Sequence, residues 1–474
     1  MQQAVLIRLR PRGPWRYGPS DGGHDRVDAL YRSDRLYSAL TLAMQQLGFL
    51  DEWLQSTAQA SAPAVVFSSL FPYQGDTLFV PPPATLWPPP LGLVTTPSPV
   101  FLTKIRWNAA RFVPLNLVES ILAGQRILAD QWIPDAESGC LLRRDRPSSS
   151  PYRVITRSRA AVDRLSGSSV HVDASACVEW EAGSGLWTAA RFADEAAYAT
   201  WNSRLQAAFR LLADTGFGAR RTSGWGQTAE PEFQTGSWPA LLFPKLAAAS
   251  STISARAAGE SSGDQPSFYW LLSLYSPSSS DAVDWREGSY EASVRGGIVE
   301  SASAGSGAEK KRVRMITEGS VLSARQEPLG AAVDVAPDGF AHPVYRSGLA
   351  LSLPLPELGA LAEAGSEMDA ILAEALRADE SVSITPETES GEAQPEVARE
   401  EPEADTGEQE TAKPAIEEMR EPEAALREEP APPQAEPEGT AETGEPVAGE
   451  SATVEPAEGE PAEGKPAEDS NYEI

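Results

Sequence analysis

From residue 381 onward the chain loses almost everything that a folded core requires. Its last 94 residues hold thirteen prolines and one aromatic, Tyr472, and near the end the unit Glu-Pro-Ala-Glu-Gly recurs from Glu455 and Glu460. Such a segment has too little apolar surface to offset the conformational entropy of ordering it, so it is expected to be disordered. It also carries 28 acidic and five basic residues, a net of −23. The whole chain has a formal net charge of −29 over 474 residues, which leaves only −6 for residues 1–380. The chain is therefore expected to be two physical objects, a nearly balanced body and a polyanionic appendage. The body is long enough for two domains with their own cores.

Several function classes fall away at once. There are two cysteines, Cys140 and Cys177, too few for a disulfide scaffold or a Cys-ligated metal site. The three histidines, His24, His171 and His342, are far apart and form no metal-binding spacing, so neither metal nor cofactor is expected. The opening run is cut by Arg8 and Arg10, too short for a secretion signal, and it reads as a strand over 4–9. No apolar run reaches eighteen residues, so no membrane-spanning helix and a cytoplasmic location are expected.

Periodicity places the main elements. Leu36, Leu40, Ala43 and Leu47 form a helical stripe flanked by Tyr37 and Met44, with Ser33 or Asp34 as N-cap and Gly48 as stop. Prolines make 63–106 irregular, with an edge strand near 77–80, and 111–146 reads as short helices and loops. Segments 153–159 and 170–180 read as a long hairpin with a basic tip, and 186–192 as a further strand. A second helix over 193–212 buries Ala197, Trp201, Leu205, Ala208 and Leu212. A Ser/Ala-rich linker, 247–265, leads to strand-like runs at 268–275, 290–299, 312–316 and 349–353. Residues 358–376 can still form a helix before the tail becomes extreme.

The segment 216–226, Gly-Phe-Gly-Ala-Arg-Arg-Thr-Ser-Gly-Trp-Gly, is the most informative for chemistry. It follows a helix, fails the dinucleotide fingerprint because Arg221 stands where a glycine is required, and lacks a P-loop ending. Glycines allow backbone N–H groups to form an anion nest, Arg220 and Arg221 suit phosphate, and Trp225 suits base stacking. The same composition equally describes a tight turn whose glycines serve sterics alone. The early loop interleaves Arg12, Trp15, Arg16 and His24 with Gly13, Gly18, Gly22 and Gly23, which suits a flexible single strand or a polar connection with one packed Trp. Arg8 and Arg10 either extend a basic track or face solvent. Arg153, Arg157, Arg159 and Arg164, with Arg143, Arg144 and Arg146 upstream, make the hairpin basic, for a nucleic acid or as charge protecting an edge. Lys310-Lys-Arg-Val-Arg314 is a second basic run. His24 reads as a solvated loop residue or as a general acid/base for RNA cleavage, and Asp34 is fully explained as a cap.

These motifs, in order, resemble the RAMP superfamily of CRISPR proteins. Ser33-Asp-Arg-Leu-Tyr-Ser-Ala-Leu40 is similar to its opening helix, 216–226 to its Gly-rich loop, and Val162-Asp-Arg-Leu-Ser-Gly167 to its hairpin motif. Leu271-Leu-Ser-Leu-Tyr-Ser-Pro277, Glu318-Gly-Ser-Val321 and His342-Pro-Val-Tyr-Arg-Ser-Gly348 resemble the fourth subunit of the type III-A (Csm) effector complex. The resemblance spans about 4–355 and implies an α+β fold of two ferredoxin-like (RRM-like) βαββαβ domains. These are 1–246, with a β-hairpin thumb near 150–180, and 266–356, followed by the acidic tail 357–474. It implies a non-catalytic subunit that grips the repeat-derived 5′ handle of CRISPR RNA and docks the large polymerase/cyclase-type subunit and the first backbone RAMP subunit. The handle contacts carried over are Arg16, Gly18, Gly216, Gly218, Arg220, Arg221, Ser223, Gly224, Trp225, Gly226 and the 342–346 segment with His342 and Arg346. Arg164, at the thumb tip beside Asp163, would meet the guide–target duplex. The alternative is a metal-independent RAMP endoribonuclease that uses His24. The acidic tail departs from the family pattern.

Overall fold

The opening strand β1 (Gln3–Leu9) is paired along both edges, which explains its nearly unbroken apolar run. In this computed structural model the described residues are 2–18, 26–28, 30–95, 105–145, 149–166, 168–249, 266–301 and 305–356. His24, Gly22, Gly23, Arg146, Gly167, most of the linker and the whole tail from 357 lie outside them.

Antiparallel to β1 run β8 (Ser184–Phe192), with Ala4 opposite Arg191, and β9 (Glu232–Ser237), with Gln3 opposite Ser237. Every residue of β8 is buried. Its far edge takes β2 (Val65–Phe67) and β3 (Phe71–Gln74), and the sheet continues through β4 (Thr77–Val80) and β5 (Val113–Pro114). With β2 and β3 counted as one broken second strand, the order is second, third, first, fourth. Helix α1 (Ser33–Gln46) follows the first strand, and α2 (Leu50–Ser56) and α3 (Leu115–Leu122) follow later. Helix α4 (Glu195–Thr215) follows the third strand. α1 buries Leu36, Tyr37, Leu40, Ala43 and Met44, and Gly48 ends it at φ +82°. α4 buries Trp201, Leu205, Ala208 and Leu212, and Asp194 caps it by accepting from the Ala197 N–H at 2.7 Å. The expected hairpin is longer than its apolar pattern indicates: β6 (Tyr152–Val162) pairs with β7 (Ser169–Trp180).

The second sheet centres on β10 (Ser267–Leu271). The remaining strands are β11 (Val283–Ser289), β12 (Ala292–Arg295), β13 (Ile298–Ser301), β14 (Gly305–Glu309), β15 (Val313–Ile316), β16 (Val321–Ala324), β17 (Gly330–Asp334), β18 (Tyr345–Leu349) and β19 (Ser352–Leu355). The sheet order is β11-β16-β10-β19, again second, third, first, fourth. Here the connections differ from the expected βαββαβ pattern, because no helix occurs among described residues 266–301 and 305–356. Short, Gly/Ser-rich connections leave no apolar helical stripe, and hairpins occupy those places instead.

Both sheets lie in one compact unit, and they share a core. One hydrophobic cluster contains Ile7, Leu40 and Trp187 as well as Trp270, Leu272 and Leu353. Ser69 N–H donates to the Leu272 carbonyl at 2.9 Å. The cap expected at Ser33 or Asp34 is absent: Arg32 occupies the N-cap position and no side chain caps α1. Ser33 instead joins the sheets, donating its N–H to Ser69 Oγ at 2.8 Å and accepting from the Leu274 N–H at 3.0 Å. The Asp34 carboxylate, 2 % exposed, is met by Arg295 through two bonds of 3.1 Å and by Arg346 Nη1. Beside it, buried Glu318 accepts from Arg32 at 2.5 Å and from Ser69 Oγ. Burial alone raises the Asp34 pKa, but Arg295, Arg346 and Arg35 outweigh it and hold the carboxyl at about 2, below its ordinary 3.8.

Truncating Asp34 leaves two guanidinium groups without their counter-charge in a dry site. Asp34→Ala is expected to lower stability by about 3–5 kcal/mol in denaturant unfolding. The depressed folded pKa also sets a sign for pH. The Asp34 contribution, about 2 kcal/mol, is complete above the unfolded pKa near 3.8 and is lost as pH falls through about 2. Asp34→Asn should lack this part of the acid transition.

Candidate nucleic-acid interface

The Gly-rich segment leaves α4 at Gly216 and closes on itself. Phe217 N–H donates to the Gly226 carbonyl at 3.0 Å, and Gly226 N–H donates to the Pro14 carbonyl at 3.0 Å. At Gly226, φ is +80° and a Cβ would sit 2.0 Å from the Phe217 oxygen. At Gly218, a Cβ would sit 2.4 Å from the Arg16 oxygen. Both glycines therefore serve close backbone approach, the steric half of the two readings. Phe217 stacks on Trp15 with centroids 5.1 Å apart, and Trp15 pairs by backbone with Val178 of β7. The first loop, the Gly-rich segment and the root of the hairpin are thus one knot.

This packing corrects several sequence expectations. Arg16 is buried, donates to the Ala176 carbonyl at 2.7 Å, and ties the loop to β7 instead of facing a ligand. Trp15 is buried in the aromatic stack. Trp225 is only 8 % exposed, and its ring carries the Arg220 guanidinium at 5.7 Å, so no base can stack there without displacing that arginine. Arg220, at φ +59°, donates to Asp173 and, at 2.6 Å, to Ser175, both on β7. Gly18 lends its carbonyl to Arg35. Arg346 is spent on Asp34 and on the Gly296 carbonyl at 2.8 Å. His342 is exposed against Phe340, centroids 4.9 Å apart, with Nδ1 3.0 Å from the Pro343 carbonyl. Arg153 and Arg157 both face Glu179, which neutralises part of the basic hairpin.

What remains exposed is narrower and well defined. Left-handed Arg220 leads into the short turn Arg221–Ser223, which Gly224 ends at φ +76°. A left-handed residue followed by a right-handed turn directs successive N–H groups to one side. Arg221 is exposed and has no acidic partner among the described residues. Ser223 Oγ accepts from Arg159 of β6 at 3.0 Å, which brings the hairpin to the turn. Arg12 is exposed, and its N–H is bonded to the Gln227 carbonyl at 2.9 Å, just beyond the turn. The hairpin tip is shaped by Asp163, whose carboxylate takes the Leu165 N–H at 3.1 Å, the Ser166 N–H at 3.2 Å and the Ser166 hydroxyl. Arg164 and Leu165, the latter 99 % exposed, stand out from that turn. Under the loop, burial pushes the Tyr31 hydroxyl up to about 12, so it stays neutral. Among the described residues no group of three His, Cys, Asp or Glu could hold a metal ion, and no helix is long and apolar enough to cross a membrane.

Residues 264–355, the second sheet with Arg295, Glu318 and Arg346, match the family described as the CRISPR Csm4 C-terminal domain. Those residues form a Csm4-type C-terminal domain. It is similar to a crystal structure of a Csm1-Csm4 cassette in complex with cA4, at 19% identity over 75% of this chain and 99% of that one, with a TM-score of 0.42. It is also similar to a crystal structure of a Csm3-Csm4 subcomplex in the type III-A CRISPR-Cas interference complex, at 13% identity over 75% of this chain and 100% of that one, with a TM-score of 0.47. No curated protein matches the chain.

Sequence reasoning missed Arg32, Ser69, Arg295 and Glu318 as a group, although Glu318 lay inside a family motif. The motifs around Asp34, Glu318 and Arg346 meet at the junction of the sheets, not at a ligand surface. The two kinds of glycine in the loop can be told apart by substitution. Gly224→Ala, with no backbone near its Cβ, should cost about 1 kcal/mol for its positive φ. Gly226→Ala should cost about 3 kcal/mol or more, read as a larger fall in thermal midpoint.

Proposed function

We propose that this chain is a non-catalytic RNA-gripping subunit of a type III-A CRISPR effector complex, and that the turn 220–224 with its arginine rim takes the 5′ handle of CRISPR RNA. One observation carries this reading. Arg221 on an exposed, left-handed turn has no acidic partner among the described residues, Arg159 of the long hairpin donates to Ser223 of that turn, and exposed Arg12 is bonded through its backbone to Gln227 just beyond it, in a body whose acidic excess is small. Backbone N–H groups and guanidinium groups on one surface suit a phosphodiester chain, and their attraction needs no base identity. In this reading Arg16, Gly218, Arg220 and Trp225 position the surface and Arg221 and Ser223 touch RNA. Gly18, Gly216, Gly224 and Gly226 shape the backbone around them. Arg164 and Leu165 would meet the guide–target duplex at the hairpin tip.

The repeated strand order supports reading 1–246 and 266–356 as two ferredoxin-like units, the second stripped of its helices. As a Csm4-like chain it would dock a large polymerase/cyclase-type subunit and a backbone RAMP subunit, the assemblies in which proteins of that name are described. Such work places it in the cytoplasm.

The test is RNA affinity against salt. Arg12, Arg159 and Arg221 together changed to Ala should weaken binding of handle-bearing CRISPR RNA by about tenfold near physiological salt. The same variant should flatten the log–log salt slope by about 2, at about 0.7 per phosphate contact. Unchanged affinity and slope in a folded variant would remove the loop from the interface.

A further inference from the structure

Both sheets carry a long two-stranded hairpin at the same topological point, between the second and third strands. In the first sheet it is β6–β7, with strands of 11 and 12 residues. In the second it is the run β12–β13 returning as β14–β15. Ala292 faces Ile316 and Arg295 faces Val313 near the root, and Lys310 N–H donates to the Gly297 carbonyl at 2.8 Å farther out. The two faces of this second hairpin differ. Arg295, Val299 and Met315 are buried, and Arg295 anchors the root on Asp34. On the other face Arg314 stands opposite Val294, and the Arg312 side chain lies across Gly296 with its Cγ 3.5 Å from the position of a Cβ there. Val294 is 55 % and Ile298 59 % exposed. Arg312 and Arg314, two residues apart and exposed, have no acidic partner among the described residues. From 292 to 316 the chain carries five basic and two acidic residues. Arg295 is paired with Asp34 and Lys311 with Asp338 at 2.7 Å, which leaves Arg312 and Arg314 as the exposed charge without an acidic partner among the described residues. The first hairpin interleaves the same residue types, Val154, Arg159, Val162 and Arg164.

A chain of contacts links the two roots. Arg295 bonds Asp34, the next residue, Arg35, bonds the Gly18 carbonyl, and Trp15 and Arg16 of the same loop hold β7 and the Gly-rich turn. We infer that the paired strands of 292–301 and 305–316 are a second RNA-contacting arm, with Arg312 and Arg314 taking phosphates of the single-stranded RNA that the Gly-rich turn holds. The inference rests on the RNA-binding reading above and extends it to a separate surface. Unpaired arginines beside the exposed Val294 and Ile298 on a two-stranded ribbon suit a flexible polyanion with exposed base faces.

The experiment compares the full chain, Arg312→Ala/Arg314→Ala, Arg312→Lys/Arg314→Lys and the triple loop variant, each with the same fluorescently labelled CRISPR RNA over a salt series. The alanine pair should bind about five- to tenfold more weakly, with a slope shallower by about 1.4 for two lost phosphate contacts. Its thermal midpoint should be unchanged, and the lysine pair should recover most of the slope. If the full chain binds RNA and the loop variant does not, while the alanine pair binds like the full chain, the second arm is wrong and the RNA reading stands. Retained RNA binding with loss of an acidic protein partner from the purified complex would likewise overturn it, as a protein contact. A full chain that binds no RNA would overturn the RNA reading itself.

Discussion

Two buried carboxylates, Asp34 and Glu318, help hold the two halves of this body in register. Asp34 sits at the first turn of α1, yet its oxygens are engaged by Arg295 and Arg346, 261 and 312 residues away. A carboxylate in a dry site is tolerated only when opposite charge and hydrogen bonds replace water, and here two guanidinium groups do so. The pairing fixes more than stability. Arg295 belongs to the root of one hairpin, and Arg35, next to Asp34, reaches the loop that carries Trp15 and Arg16. Through that loop the carboxylate is connected to the Gly-rich turn and to the root of the other hairpin. A defect at Asp34 would loosen the surface proposed to meet RNA without touching the Gly-rich turn itself.

The Gly-rich segment follows the same logic on a smaller scale. Its sequence allowed either a phosphate clamp or a steric turn, and the structure divides it between the two. Gly218 and Gly226 are required by backbone contacts inside the knot, and Arg220 and Trp225 cover one another. Ala219 and Arg221 to Gly224 face outward. A rigid base with a short cationic rim is a better RNA holder than a mobile basic loop, because less conformational entropy is lost when the strand binds.

Much of this was legible in the sequence. The stripes of α1 and α4, the opening strand and the hairpin follow from periodicity, and glycine spacing marked the loop. What escaped was set by distance along the chain. Asp34 beside Ser33 at a helix start reads as a cap, since nothing local reveals that Arg295 and Arg346 will arrive there. Trp225 among glycines and arginines reads as an exposed platform, because composition does not report that Arg220 will lie on its ring. The second sheet repeats the strand order of the first and, among the described residues, lacks the helices of the expected βαββαβ pattern. Short polar connections between buried strands carry no periodic signal with which to distinguish the two cases. The net charge misled in the opposite direction, since most of the −29 belongs to a terminal stretch and not to the body that would meet RNA.

The central claim is that RNA lies on the turn 220–224 and the arginines around it. Ultraviolet crosslinking of CRISPR RNA to the full chain, followed by mass spectrometry of the linked peptides, tests this without altering a residue. The account predicts crosslinked peptides from 217–228 and from the hairpin around 155–166. Abundant crosslinks confined to other surfaces, with none in these two segments, would contradict it.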